Sequence, residues 1–265
     1  MIRYGAAILL AGALVLTGCD DNVFPSDGDQ ETWDWSGALE SGQALEIKGV
    51  AGSITAIPVS GDEAAVHAVK RGDHDDPASV DIVVVQHAGG VTVCALYPNV
   101  PGQPPNTCAP GSQGNLSVQD NDVTVEFTVR VPAGVDFRAV AVSGDIDARG
   151  MQGDVSATTV SGSIDVSTTG VAEATTVSGS IDAVIGEPHF DHALDFTAVS
   201  GNVTVEVPSN TDAHAILTTV SGIVSSEFPL AGTAHNRSGD LGNGGPRLSL
   251  TAVSGSVHLR SGPAG

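Results

Sequence analysis

The sequence predicts an all-β protein: a parallel single-chain β-solenoid of β-helix-like coils, about 17–22 residues each, with an amino-terminal β capping region. Three observations predict it. First, one tripeptide recurs six times, as Val142-Ser143-Gly144, Val160-Ser161-Gly162, Val177-Ser178-Gly179, Val199-Ser200-Gly201, Val220-Ser221-Gly222 and Val253-Ser254-Gly255, at intervals of 18, 17, 22, 21 and 33 residues. A period near 20 with one fixed corner marks a solenoid, in which each repeat buries its apolar face only against its neighbours. Second, apolar residues alternate with polar ones on both sides of each corner, and no long 3.6-residue pattern occurs there. Third, of 265 residues 33 are Gly but only 6 are Phe, 2 Trp and 2 Tyr, so the core must be built from Val, Ile, Leu and Ala. Narrow coils suit such a core.

The elements follow in chain order. Residues 1–18 carry Arg3, no acid, and an apolar run from Ala6 to Leu16, which is a charged region followed by a stretch of signal-peptide length. That run is too short for a membrane-spanning helix of about 20 residues. It ends in Leu16-Thr17-Gly18-Cys19, which resembles the lipobox of bacterial lipoproteins. The resemblance implies cleavage before Cys19 and lipidation of that residue, with the membrane as a partner through two or three acyl chains. Residues 19–32 are polar, acidic and punctuated by Pro25 and Gly28, and read as a flexible tether.

Residues 33–135 are expected to be β structure with a different rhythm. Val66 to Lys70, Val80 to Gln86, Val91 to Cys94 and Val123 to Val131 alternate as strands, and Pro132-Ala133-Gly134 ends the last. Ala44 to Ile54 looks like an early variant of the corner. Hairpin-like pairs here would cap the first coil, which otherwise exposes unpaired strand edges. Cys94 and Cys108 flank a proline-rich loop and suit a disulfide in an oxidising, extracytoplasmic compartment; two free thiols or a metal pair are the alternatives.

Residues 136–262 form the solenoid. After each glycine the residues Ile146 and Ala148, Ile164 and Val166, Ile181 and Ala183, and Val203 and Val205 face inward; before it Val155, Ala157 and Thr159 do so on the opposite numerical parity. The phase therefore slips at the corner, as a turn or bulge requires. Gly186 to Asp195 and Phe228 to Gly245 are insertions.

Several of these stretches together are similar to a known family, the DUF4097 group of β-strand-repeat proteins, generally labelled as candidate adhesins. The likeness rests on Leu45 to Ile54, on Val129-Arg130-Val131-Pro132-Ala133-Gly134-Val135, on the Val-Ser-Gly corners, and on Gly242 to Leu248 before the last of them. It covers roughly residues 33–260. It implies adhesion or envelope scaffolding and brings no catalytic residues; the loop 94–108 is a departure from the family pattern.

Chemistry is sparse. The net charge of −21, with 10 Lys and Arg against 31 Asp and Glu, excludes a basic face for nucleic acid. His189, Asp191, His192 and Asp195 are the best metal-ligand candidates, but His-x-x-His off a helix is a weak signal and an ordinary polar loop is the favoured reading. Asp147, Asp165 and Asp182 occupy equivalent places in three coils; a cation ladder is conceivable, and a solvated acidic stripe is preferred. The six corner serines are expected to bond turn backbone rather than act as nucleophiles. No serine-hydrolase elbow, phosphate loop, zinc-protease motif or cofactor signature occurs. The expected function is therefore non-catalytic: a lipid-anchored envelope protein serving adhesion, scaffolding or binding of a protein or glycan partner. The rival readings are a periplasmic sensing partner and a β-helix enzyme acting on an envelope polysaccharide.

Overall fold

The computed structural model describes residues 30–265. In chain order the strands are β1 (Gln30–Ala38), β2 (Ala44–Lys48), β3 (Ile54–Val59), β4 (Glu63–Arg71), β5 (Asp81–His87), β6 (Gly90–Leu96) and β7 (Thr124–Pro132). There follow β8 (Asp136–Val140), β9 (Ile146–Met151), β10 (Val155–Ser161), β11 (Ile164–Thr168), β12 (Ala172–Ser178), β13 (Ile181–Ile185) and β14 (Leu194–Ser200). The last are β15 (Val203–Pro208), β16 (Ala213–Ser221), β17 (Val224–Ser226), β18 (Ala231–Gly232), β19 (Asn236–Leu241), β20 (Arg247–Ser254) and β21 (Val257–Gly262). They form two open sheets, one of ten strands (β1-β4-β7-β3-β9-β11-β13-β15-β21-β17) and one of eleven (β18-β19-β16-β20-β14-β12-β10-β8-β2-β6-β5).

Each coil runs up a strand of the eleven-stranded sheet, turns at the corner and continues in the ten-stranded sheet. The fold is the β-solenoid that the repeats predict. Its interior is a set of ladders, because parallel in-register pairing puts equivalent residues directly above one another. One ladder runs Phe127, Ile54, Ile146, Ile164, Ile181, Val203, Val257, Val224. All eight are essentially buried. Each such side chain contributes about 1.5–3 kcal/mol on burial, so the stack is held by many comparable increments spread along one continuous core.

The corner glycines explain why coils can stack so closely. Gly162 sits at φ +155°, and a Cβ there would lie closer than 3.0 Å to the carbonyl of Gly144 in the neighbouring coil. Gly179, Gly201, Gly255 and Gly222 repeat that relation to Gly162, Gly179, Gly201 and Gly255. Inward threonines next to the corner fix these carbonyls: the Thr159, Thr176 and Thr219 hydroxyls donate to Gly144 O (3.2 Å), Gly162 O (2.9 Å) and Gly255 O (2.7 Å).

Stacking does not follow sequence order at the two ends. The coil β20–β21 lies between β14–β15 and β16–β17, so the last coil in sequence is the penultimate one in space. Likewise β2–β3 is inserted between β6–β7 and β8–β9. The amino-terminal capping strands therefore close over β6–β7 and not over the first coil. Antiparallel β4 and β1 extend one sheet there, and β5 extends the other. The tether expected over residues 19–32 is also shortened. Gln30, Glu31 and Thr32 belong to β1, whose Trp33 and Trp35 pack against the core at the open end. Residues 1–29, with Cys19, lie outside the described residues.

Candidate functional site

The outer face of the eleven-stranded sheet carries a groove. Its floor is built by register: Glu46 on β2 stands opposite Arg138 on β8, Arg138 opposite Ser156 on β10, and Ser156 opposite Glu173 on β12. Asp136 and Asp154 complete the floor; residues Gly111 to Gly114 with Leu116 form one wall and His192 stands on the other side. The groove so enclosed has a volume of about 800 Å³.

The first wall exists because the long β6–β7 loop is folded down on the sheet. Cys94 on β6 and Cys108 are joined in a disulfide with Cα atoms 5.7 Å apart. Lys48, on the outward parity of β2, donates to the carbonyls of Ala109 (2.6 Å), Gly111 (2.5 Å) and Gln113 (3.0 Å). Glu46 accepts from the Thr92 hydroxyl (2.8 Å) and the Gly111 N–H (3.0 Å), and lies 3.8 Å from the Lys48 ammonium. Both charged residues are almost fully buried, at 5% and 6% exposure, yet every polar end is matched. Asn106 stitches the two sides of the proline-rich loop together through Tyr97 O (2.9 Å) and Ser117 O (2.8 Å). The Tyr97 hydroxyl donates to Val123 O (2.7 Å), and burial pushes its pKa up to about 12.

Electrostatically the groove is mixed. Burial raises the Asp136 and Glu173 carboxyls above their ordinary range. The hydrogen bond with Asp191 (2.8 Å) raises His192. Arg138 stands among these groups, exposed on the floor.

The other sequence-derived candidates are placed as follows. The insertion 186–195 does not gather its ligands: His189 turns to Asp212 (3.3 Å), His192 to Asp191, and Asp195 to Arg247 (3.1 Å), while Phe190 plugs into the core. No group of three or more His, Cys, Asp or Glu able to hold a metal ion occurs among the described residues. Asp147, Asp165 and Asp182 do stand in one row. The row is partly neutralised by Arg149, which bonds Asp165 through two nitrogens and lies 3.5 Å from Asp147. This arginine follows Asp147 by two residues on the same outward parity of β9, a signal in the sequence that was not used.

The corner serines differ from expectation. Ser143, Ser161, Ser178, Ser200, Ser254 and Ser221 stack in register, exposed, and make no side-chain hydrogen bond among the described residues. Backbone bonding at the corner falls instead to the inward threonines and to Ser163, Ser180 and Ser256, whose hydroxyls accept the N–H groups of Ser180, Asn202 and Ile223. Beside the serines the corner valines form a second outward row, 41–44% exposed except Val220 at 72%, which tops the stack. A third row on the same face is Thr158, Thr175, Thr197, Thr251 and Thr218.

Fold and surface together define a β-solenoid with an in-register Val, Ser and Thr face and a loop-walled groove. Residues 113–216 match the model of the Toastrack DUF4097 family, a stretch running from the groove wall through β7 into β16. The family likeness read from the sequence thus holds over the middle of the chain. No curated protein matches. Two solved structures are similar. A proposed cell adhesion protein from Clostridium sporogenes has 10% identity and a TM-score of 0.44, covering 88% of this chain and all of its own. A proposed adhesin from Bacteroides fragilis has 12% identity and a TM-score of 0.35, covering 87% of this chain and 97% of its own. No helix among the described residues is long and apolar enough to cross a membrane.

Proposed function

We propose that the protein is a non-catalytic, adhesin-like scaffold of the cell envelope, held to a membrane by lipid on Cys19 and binding a protein or glycan partner across the outer face of its eleven-stranded sheet. The observation that carries this reading is the groove. Buried charge and a disulfide pin a long loop over one end of an otherwise flat sheet, an expense of structure that a mere spacer does not need. The floor offers donors and acceptors in register at the strand spacing of about 4.8 Å, which suits an extended, repetitive partner. Acids outnumber bases over the whole chain, and Arg138 supplies a guanidinium at the floor.

The test has three arms. Protease added to intact cells cuts the solenoid if the face is displayed outside; protection until the outer membrane is breached overturns adhesion and leaves a periplasmic partner. Arg138→Glu on the floor should weaken adhesion or partner capture at least tenfold with no change in melting temperature. Cys19→Ala should release the protein from membranes, and continued membrane association would refute the anchor.

A further inference from the structure

Each sheet of an open solenoid ends in a strand with one unpaired side, and these edges are managed unequally. At the far end β17 has three residues and β18 two, too short to template another strand. At the near end β1 carries Glu31 and Asp34 along its length. The remaining edge, β5, is seven residues of Asp81-Ile82-Val83-Val84-Val85-Gln86-His87, with no Lys, Pro or Gly. It pairs with β6 on one side, and no strand lies on its other side among the described residues. All four central aliphatics are only half-buried, and Ile82 and Val84 pack at the open end of the core.

The hairpin fixes which backbone groups face out. Ala88-Gly89 is a two-residue turn between His87 and Gly90, so that pair exchanges hydrogen bonds, and the ladder then alternates. Asp81, Val83, Val85 and His87 turn their backbone groups to β6; Ile82, Val84 and Gln86 turn theirs outward.

We infer that β5 is a self-association edge, on which a second copy of this chain adds its own β5 antiparallel about a two-fold axis at Val84, joining the two eleven-stranded sheets into one. The occupant is identified by complementarity. In this register Val84 faces Val84, Ile82 faces Gln86, Val83 faces Val85, and Asp81 faces His87 at both ends. The outward groups of three residues are satisfied, giving about six backbone hydrogen bonds, and the β-branched side chains pair across the junction. Shifting the centre by two residues in either direction separates Asp81 from His87 and shortens the ladder. A two-fold pairing of this kind closes at the dimer, since each copy has one such edge. The inference is independent of what the groove binds.

Cysteine cross-linking in membranes from cells making the full chain reads the register directly. In a hydrogen-bonded antiparallel pair, facing Cα atoms lie about 5.5 Å apart, within disulfide reach. Under mild oxidation the Val84→Cys chain should run as a dimer on a non-reducing gel. The Ile82→Cys chain should not, because its counterpart sits about 14 Å along the strand. The parent chain controls for Cys19. A second arm uses Val84→Pro, which removes an outward N–H that the fold does not use. Co-precipitation of two differently tagged copies should fall at least tenfold, with the circular dichroism spectrum of the purified chain unchanged. Equal cross-linking at positions 82 and 84, no cross-linking at either, or undiminished co-precipitation of Val84→Pro would each overturn the inference.

Discussion

Gly162→Ala tests the idea that the corner glycines set the stacking distance. The added Cβ falls closer than 3.0 Å to the Gly144 carbonyl and meets the Asp145 nitrogen at 3.0 Å. Neither neighbour can swing away, because both are backbone and both are tied. The Gly144 N–H bonds Ser161 O (2.8 Å), the Gly162 N–H bonds Ser178 O (2.9 Å), and the Thr159 hydroxyl holds Gly144 O. Relief must come from parting two coils locally or from bending the corner. Overpacking against fixed neighbours costs about 1–3 kcal/mol, and a residue with a side chain held in this backbone region a further 1–3 kcal/mol. The sum is about 2–6 kcal/mol, which for a chain of this size lowers the melting temperature by roughly 2–4 °C per kcal/mol. Gly42→Ala is the control: its φ is +82°, but nothing lies within 4 Å of the added carbon. It should show the backbone cost alone. The assay is thermal unfolding followed by circular dichroism at matched concentration. If Gly162→Ala melts with Gly42→Ala, close approach is not what selects glycine at the corner, and the stacking argument fails.

Four further outcomes follow from other parts of the molecule. Lys48→Met should cost about 3 kcal/mol by stranding the buried Glu46 carboxylate and three carbonyls, and hydrogen exchange should rise at residues 109–113; unchanged exchange there would show that the disulfide alone pins the wall. The hydrogen bond with Asp122 holds His74 above its ordinary 6.5, while the Asp75 N–H and His74 hold Asp122 below 3.8. The histidine's contribution is full below 6.5 and lost as pH rises through its raised pKa, and the aspartate's is full above 3.8 and lost as pH falls through its lowered one, so Asp122→Asn should return the His74 NMR titration towards 6.5 and matter most between those values. Arg149→Ala leaves Asp147, Asp165 and Asp182 facing one another, so its destabilisation should shrink with added salt as the screening length falls to about 3 Å near 1 M; a salt-independent loss would mean packing and not charge. Truncation after Gly245 removes a coil that is paired on both sides, and proteolysis should show β16 and β17 released with it, whereas a solenoid stacked in sequence order would lose only its end.

The repeating part of the fold was legible because it is written in local chemistry. A glycine that must approach a neighbouring carbonyl, an alternation that changes parity between Val160 and Ile164, and a corner that recurs every 17–22 residues over most of the solenoid each leave marks in single residues. The row of Asp147, Asp165 and Asp182 was legible for the same reason. What was not legible depends on contacts between segments far apart in the chain. Nothing about Lys48 in an alternating strand says that residues 109–113 will cover it, since 61 residues separate it from Ala109. The groove is equally hidden: its floor belongs to strands that read as ordinary coils, and its wall to a loop whose composition says only that it is irregular. The corner serines were expected to bond turn backbone, and nothing in a single residue says that the threonines two positions before them take over that bonding.

The inserted end coils follow from the same physics that shapes the edges. A solenoid built in sequence order leaves its first and last strands with an open side, and these are the segments next to the chain ends, where fraying begins. Here β2–β3 and β20–β21 are each hydrogen-bonded on both sides, and three of the four outermost positions go to β5, β17 and β18, strands held by connections at both of their ends, with β1 in the fourth. The interval of 33 residues before the last corner is what this arrangement requires, since the chain must cross the top of the stack, form β18 and β19, and come back beneath β16. The same logic leaves β5 as the conspicuous exception. Every other edge is shortened or charged, and the loop pinned by Lys48 and Cys108 covers the face beside β5 but leaves its hydrogen-bonding side open among the described residues. An edge kept long, aliphatic and uncharged at its centre, in a molecule that protects its other edges, is accounted for most directly by a second copy of itself.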